Sequence, residues 1–291
     1  VIYNIDPTAT PFMSAIGSKN ITNVVFDWQT ENLPTPSGTG QLEGFELSRS
    51  ASTATTRESN VAQISSRDAT VSGSQDASDP AGKKQELAHQ MALMSKALKR
   101  DMEVALCQNT AKNAGNATTA RQTRSFEAWI TTNKSRGTGG ADGSASAAAT
   151  DAATGNRRAL TEALLKGVLQ SMFTNGAEPK MAIAGPVNKG VISGFTGRAN
   201  TRQNVSADTV SASISVYASD FGELQIVPSN RSRDRSLLLV DPEYAKVAYL
   251  RNFQTMDIAK IGDADTKMIL AEYGLEMSNE AAHGIVADLT A

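Results

Sequence analysis

"AKIGDADTKMILAEYGLEMSNEAAHG", residues 259–284, carries Asp263, Asp265, Glu272, Glu276, Glu280 and one of only two histidines. From Ile269 the apolar residues Ile269, Ala271, Tyr273, Leu275 and Met277 fall at every second position, with Glu272 and Glu276 between them. That period is a half-buried strand whose carboxylates face the polar outer side. "GDAD" before it has turn chemistry, glycine for a positive φ and aspartate for local backbone bonds, and "FQTMDIAKI" before that is a second strand. The stretch therefore predicts a long hairpin. A metal site needs ligands that converge, and these alternate along a ribbon. A hydrolase built on His283 with Asp263 or Ser278 would need nucleophile, base and orienter in contact, and no recognisable elbow or signature motif accompanies them.

The rest of the chain is read outward from that hairpin. With 291 residues, 28 Lys and Arg against 30 Asp and Glu, and 40% hydrophobic residues, it can bury a real core and carries a formal charge of -2. No basic run exceeds Lys83–Lys84 or Arg157–Arg158, so strong direct DNA binding is not expected. Cys107, the single cysteine, cannot form an internal disulfide and reads as a buried small residue in a helix. No apolar run approaches the ~20 residues of a membrane-crossing helix, and no membrane partner is expected.

Upstream, "VIYNIDPTATPFMSAIGSKNITN" (1–23) reads as an extended arm in which Thr10 and Pro11 open a short helix that Gly17 ends. In "NVVFDWQTEN" (23–32), Val24, Phe26 and Trp28 share one face of a strand. Residues 34–79 are too polar to bury themselves, yet "ESNVAQISSRDATVSG" (58–73) reads as a strand returning beside the first. An isolated two-stranded ribbon is marginal in water, so this one needs a partner surface. The clearest helix, about 84–110, sets Leu87, Met91, Met94, Leu98, Met102, Ala105 and Leu106 along one stripe opposite Lys96, Lys99, Arg100 and Glu103. His89 beside the stripe reads as a surface or interface imidazole.

Low-complexity sequence at 135–156 reads as a surface loop or flexible insertion. Its "RGTGGADG" (136–143) matches neither GxGxxG nor a P-loop and implies no nucleotide site. A second lobe follows in α+β order: a helix at 157–176, a buried strand in "PKMAIAGP", a short helix in "VNKGVISGFTG", two strands around Gly222 and the apolar run Leu237–Val240. Arg231, Arg233 and Arg235 with Asp234 read as a solvated or intersubunit edge.

The order of arm, long polar hairpin, long amphipathic helix, α+β lobe and terminal strands resembles the Hong Kong 97-type fold of tailed-bacteriophage major capsid proteins. "NIDPTATPFMSAIG" with "FDWQTENLP", "ELAHQMALMSKALKRDMEVALCQN", and "YAKVAYLRNFQTMDIAKIGDADTKMILAEYGLEMSNEAAHG" are similar to blocks of one branch of that family. The resemblance implies an N-arm (1–23), an extended β-hairpin E-loop (24–79), a peripheral domain with the spine helix and the insertion (80–156), an axial domain (157–240), and return strands with the peripheral hairpin (241–291). It also implies residues upstream of Val1. It implies a non-enzymatic protein, without cofactor, metal or catalytic residues, that assembles with copies of itself through hexamers and pentamers into an icosahedral shell around the phage genome. The implied place is the virion, with assembly in the host bacterial cytoplasm. Scaffolding, decoration and portal proteins are further partners it implies, and the near-neutral charge suits a wall that encloses DNA without gripping it. A cellular encapsulin-like shell of the same fold is the alternative. Candidate interface residues are Phe26 and Trp28 on the E-loop, Arg57, Glu58, Arg67 and Asp68 on its return strand, and Lys83, Lys84 and Glu86 near the start of the spine helix.

Overall fold

The computed structural model describes residues 9–31, 36, 38–46, 54–78, 85–195, 215–260 and 262–290. Along the chain, α1 (Pro11–Ala15) leads into β1 (Gly17–Asn20), and the ribbon strands β2 (Val25–Thr30) and β3 (Thr56–Val61) follow. Next come β4 (Gln63–Ser72), the short α2 (Gly73–Ala77), the long α3 (Glu86–Cys107), α4 (Phe126–Trp129) and β5 (Lys134–Ser135). The second half holds α5 (Glu162–Thr174), β6 (Met181–Ala184), α6 (Pro186–Ser193), β7 (Val216–Ser219), β8 (Gly222–Pro228) and β9 (Leu237–Val240). Finally β10 (Ala245–Ile258) and β11 (Ala264–Met277) form the hairpin, and β12 (Gly284–Val286) closes the chain. Lys83, Lys84, the far start of the arm and the expected strand residues 211–214 lie outside the described residues.

The hairpin is as its alternation predicts. β10 and β11 pair antiparallel over 14-residue strands, about 45 Å of ribbon, and Gly262 in the turn takes φ +83. Around them a four-stranded sheet forms in the order β1-β10-β11-β4, with β1 parallel to β10. β4 departs from the expected hairpin partnership. Only β3 pairs with β2, while after Ala62 the chain leaves the ribbon and β4 runs antiparallel along β11 from Tyr273↔Gln63 to Ala264↔Ser72. Polar strands need a sheet edge to satisfy their backbone, and β11 supplies one.

Six further strands form a mixed sheet in the order β5-β12-β9-β6-β8-β7. It divides two cores. Leu238 and Val240 of β9, with Met181 and Ile183 of β6, face a core shared with α3, α4, β10 and β11. Leu237, Leu239, Ala182 and Ala184 face the other core, under α5 and α6. A strand covered on both sides has no need of polar alternation, which explains the unbroken "LLLV" and "MAIA".

α3 runs 22 residues, about 33 Å, slightly inside its predicted span, and buries Leu98, Met102, Leu106 and Cys107. Glu103 is a correction. Its position on the helix wheel assigned it to the polar face, yet it is fully buried. Its carboxylate forks across the start of α1, accepting the N–H of Phe12 at 2.7 Å and of Met13 at 2.9 Å. Thr10 makes no side-chain cap there, so a residue 91 positions away does the capping. Burial pushes the Glu103 pKa up, and the two N–H groups pull it back.

Glu272 and Glu276 are corrected in the same way. Alternation placed them outward, but the outer side of β11 is covered, and they are 3% and 4% exposed. Arg121 at 2.6 Å and Arg251 at 2.7 Å hold Glu272, and Lys19 on β1 holds Glu276 at 3.0 Å. Irregularities in β10 on either side of Arg251 bring it opposite Glu272. The arginine edge also turns inward: Arg233 pairs at 2.8 Å with Glu127, which is 1% exposed, and with Asp151, while Arg235 reaches Asp151 at 3.2 Å. This network ties the loop before β9 to α4 and to the 135–156 segment.

That segment is a loop held at both ends. Asn109 accepts from Ala149 N at 2.8 Å and donates to Ala149 O at 2.6 Å. The Asp288 carboxylate accepts Gly137 N at 2.8 Å and Ala152 N at 2.6 Å, from a backbone at φ +59. The glycine-rich turn thus spends backbone donors on a carboxylate of its own chain.

Candidate assembly surfaces

The ribbon β2–β3 leaves the body at a built root. Phe26 is 6% exposed and lies on Gly274 of β11, where a Cβ would stand 2.7 Å from the Phe26 ring. Trp28 is half-buried, stacked on Phe26 at 5.9 Å and tilted against Trp129 at 5.5 Å. Past Trp28 the described ribbon residues are exposed or half-buried. Arg57 pairs across it with Asp27, and Gln29 accepts from Thr55 at 3.1 Å. Every described residue from 36 to 46 is exposed, with Leu42 at 84% and Phe45 at 52%.

The candidate interface residues do not converge. Phe26 is committed to its own chain, and Glu58 sits opposite Trp28 on the ribbon. Arg67 clamps Asp101 of α3 through bonds of 2.6 and 2.9 Å, while Asp68 beside it is exposed. Glu86 is buried at the start of α3 and accepts from Gln90 at 2.7 Å. Leu42 and Phe45 escaped the sequence reading. Their signal was there, a Leu and a Phe within "GQLEGFE" in a run from 34 to 60 that holds only one other large apolar residue.

Two other apolar surfaces are open. Phe173 (55% exposed) stands 5.2 Å from Phe221 on the lobe of the six-stranded sheet, and Val187 and Val191 of α6 and Val216 of β7 are exposed on the same lobe. Met256 and Ile258 are exposed near the hairpin tip. Among the described residues no group of three or more His, Cys, Asp or Glu could hold a metal ion, and no helix is long and apolar enough to cross a membrane.

His283 is a core residue. It is 0% exposed, edge-on to Phe126 at 5.2 Å, and its Nδ1 accepts the N–H of Asp241 at 3.3 Å. Asp263 belongs to the hairpin turn, about 45 Å of strand away. Burial pushes the imidazole pKa from 6.5 down to about 4, against a smaller opposing pull from the Tyr244 backbone. A base with a depressed folded-state pKa contributes stability above its unfolded value and loses it as pH falls toward the folded one. Between pH 6.5 and about 4 this one group should cost about 3 kcal/mol. Glu103 and Glu127, whose pKa values burial raises, act in the opposite sense over the acid range. Denaturant titrations of the wild type and of His283→Asn, which retains an acceptor, isolate the histidine: the variant should lose that part of the pH slope.

A long helix beside a four-stranded sheet with a protruding ribbon and hairpin, joined to a six-stranded lobe, is the Hong Kong 97-type fold of phage major capsid proteins. The capsid asymmetric unit of cyanophage A-1(L) matches it at a TM-score of 0.64 and 12% identity, over 100% of this chain and 96% of that one. A solved structure of Phage G gp27 major capsid proteins and gp26 decoration proteins matches at 0.54 and 8% identity, over 95% and 89%. Within this class the chain belongs to the SU10 major capsid protein family, whose model matches residues 1–290. The major capsid protein of Escherichia phage Phieco32 is 31% identical over 109 residues, 37% of this chain. That alignment spans about a third of the relative's length, 31%.

Proposed function

We propose that this chain is the shell-forming subunit of a phage capsid, assembling through hexamers and pentamers of itself around the genome. The observation that carries this reading is the exposed ribbon extension, residues 38–46, whose Leu42 and Phe45 remain 84% and 52% exposed among the described residues. Apolar side chains held out on a marginal two-stranded ribbon call for a surface from elsewhere, and further copies present one. Residues 1–23 serve as the N-arm, α3 with the four-stranded sheet as the peripheral domain, and α5 to β9 as the axial domain. The E-loop is drawn in to 24–61, since β4 belongs to the peripheral sheet. Phe173, Val187, Val191 and Val216 offer a second contact on the axial domain, and the Arg57–Asp27 pair and Glu58 line the ribbon side. Each subunit buries well above the roughly 2,000 Å² that marks obligate interfaces. Assembly proceeds in the host bacterial cytoplasm and the product is part of the virion; a decoration protein, as in the Phage G structure, is a fitting further partner. Electron microscopy of the purified protein tests the reading: closed shells are expected, whereas a field of monomers or of fibres alone would overturn it.

A further inference from the structure

We propose that Asn60 and Arg124 are positioning residues that fix the direction in which the ribbon leaves the body, so that movement of the ribbon is confined to residues beyond Trp28 and Glu58. The proposal rests on the shell-forming reading.

Asn60 lies in β3 opposite Phe26 and is fully buried. Its amide is saturated. Nδ2 donates to Leu275 O at 2.6 Å and to Arg124 O at 3.2 Å, while Oδ1 accepts Arg124 N at 2.8 Å and Val61 N at 2.9 Å. One side chain thereby joins the ribbon to the hairpin strand β11 and to the segment leading into α4. Arg124 continues the linkage. Its Nη2 donates to Ala128 O at 2.7 Å, and its guanidinium lies 4.1 Å over the Trp129 ring. Trp129 contacts Trp28 of β2, which faces Glu58 of β3 across the ribbon. Both strands are therefore held, β3 through hydrogen bonds and β2 through rings. Buried amides with every position bonded are rigid and intolerant of partial loss. Beyond the ring contact, the described ribbon strands are fastened to each other by their backbone pairing and by exposed side-chain bonds such as Thr55 to Gln29, for which water competes.

The chain has two tryptophans, and they are the two in this contact, so near-ultraviolet circular dichroism and tryptophan emission report the root directly. In the wild type the tryptophan signal should be the same in free subunits and in shells. Asn60→Ala should keep the far-ultraviolet spectrum, alter the tryptophan couplet, and lower the yield of particles of native diameter roughly tenfold. Arg124→Lys, which leaves the backbone bonds to Asn60 in place, should broaden the particle diameters with a smaller loss of yield. Shells of native size from Asn60→Ala, or a tryptophan signal that changes when the wild type assembles, would overturn the proposal. Should Asn60→Ala not fold, the wild-type spectra and Arg124→Lys still decide it. Absence of shells from the wild type would remove the assembly reading and this proposal together, whereas native shells from the variant would remove this one alone.

Discussion

A chain lacking residues 38–46 is expected to fold with a thermal midpoint close to the wild type and to form no closed shells. Within the subunit this segment does little: the hydrogen bond from Phe45 N to Leu42 O closes a turn on itself, and Leu42 is 84% exposed. Surface changes of this kind leave stability within about 0.5 kcal/mol. Between subunits the loss is large. Burying a Leu and a Phe contributes about 1.5–3 kcal/mol each, repeated at every contact of the shell. A cut from 34 to 60 would be less informative, because it takes out Asn60 and with it the root of the ribbon. Size-exclusion chromatography with electron microscopy reads the outcome, and intact shells from the 38–46 deletion would count against the E-loop assignment.

Gly274→Val should severely destabilise the subunit, by about 3 kcal/mol, because the new Cβ must displace a buried phenylalanine. The position is enclosed: a Cβ would meet Phe26 Cε1 at 2.7 Å, Phe26 Cζ at 2.9 Å and the backbone oxygen of Val61 at 3.0 Å. The ring cannot tilt away freely, with Trp28 stacked on it, and the Val61 carbonyl belongs to β3. Gly167→Ala is the control. Gly167 is exposed within α5 with nothing within 4 Å of its Cβ position, so alanine there should stabilise by about 0.5–1 kcal/mol. Thermal unfolding of the two variants should therefore move in opposite directions.

Much of the fold was legible where apolar periodicity decides it. The alternation from Ile269 to Met277 gave the hairpin, the stripe from Leu98 to Leu106 the helix, and "PKMAIAGP" a buried strand. What the pattern hid was charge placed inside. A period assigns every carboxylate to solvent, yet Glu103, Glu272 and Glu276 are buried because their partners come from 91 to 257 residues away or across a strand pairing: Phe12, Arg121, Arg251 and Lys19. No local window contains both halves of such a pair. The same holds for the assembly surfaces. Trp28 and Phe26 were visible as ribbon residues, but that Phe26 is spent on Gly274 while Leu42 and Phe45 are free to meet another surface depends on how β11 passes beneath the ribbon.

The Asp288 knot has a use beyond folding. Because that single carboxylate and Asn109 pin the glycine-rich loop near its two ends, the tip between them, with its turn from Ser144 to Ala147, is fully exposed there and spared from supporting the core. Foreign peptides spliced into that tip would ride on the subunit as passengers, with the two pinned ends and the core beneath them undisturbed.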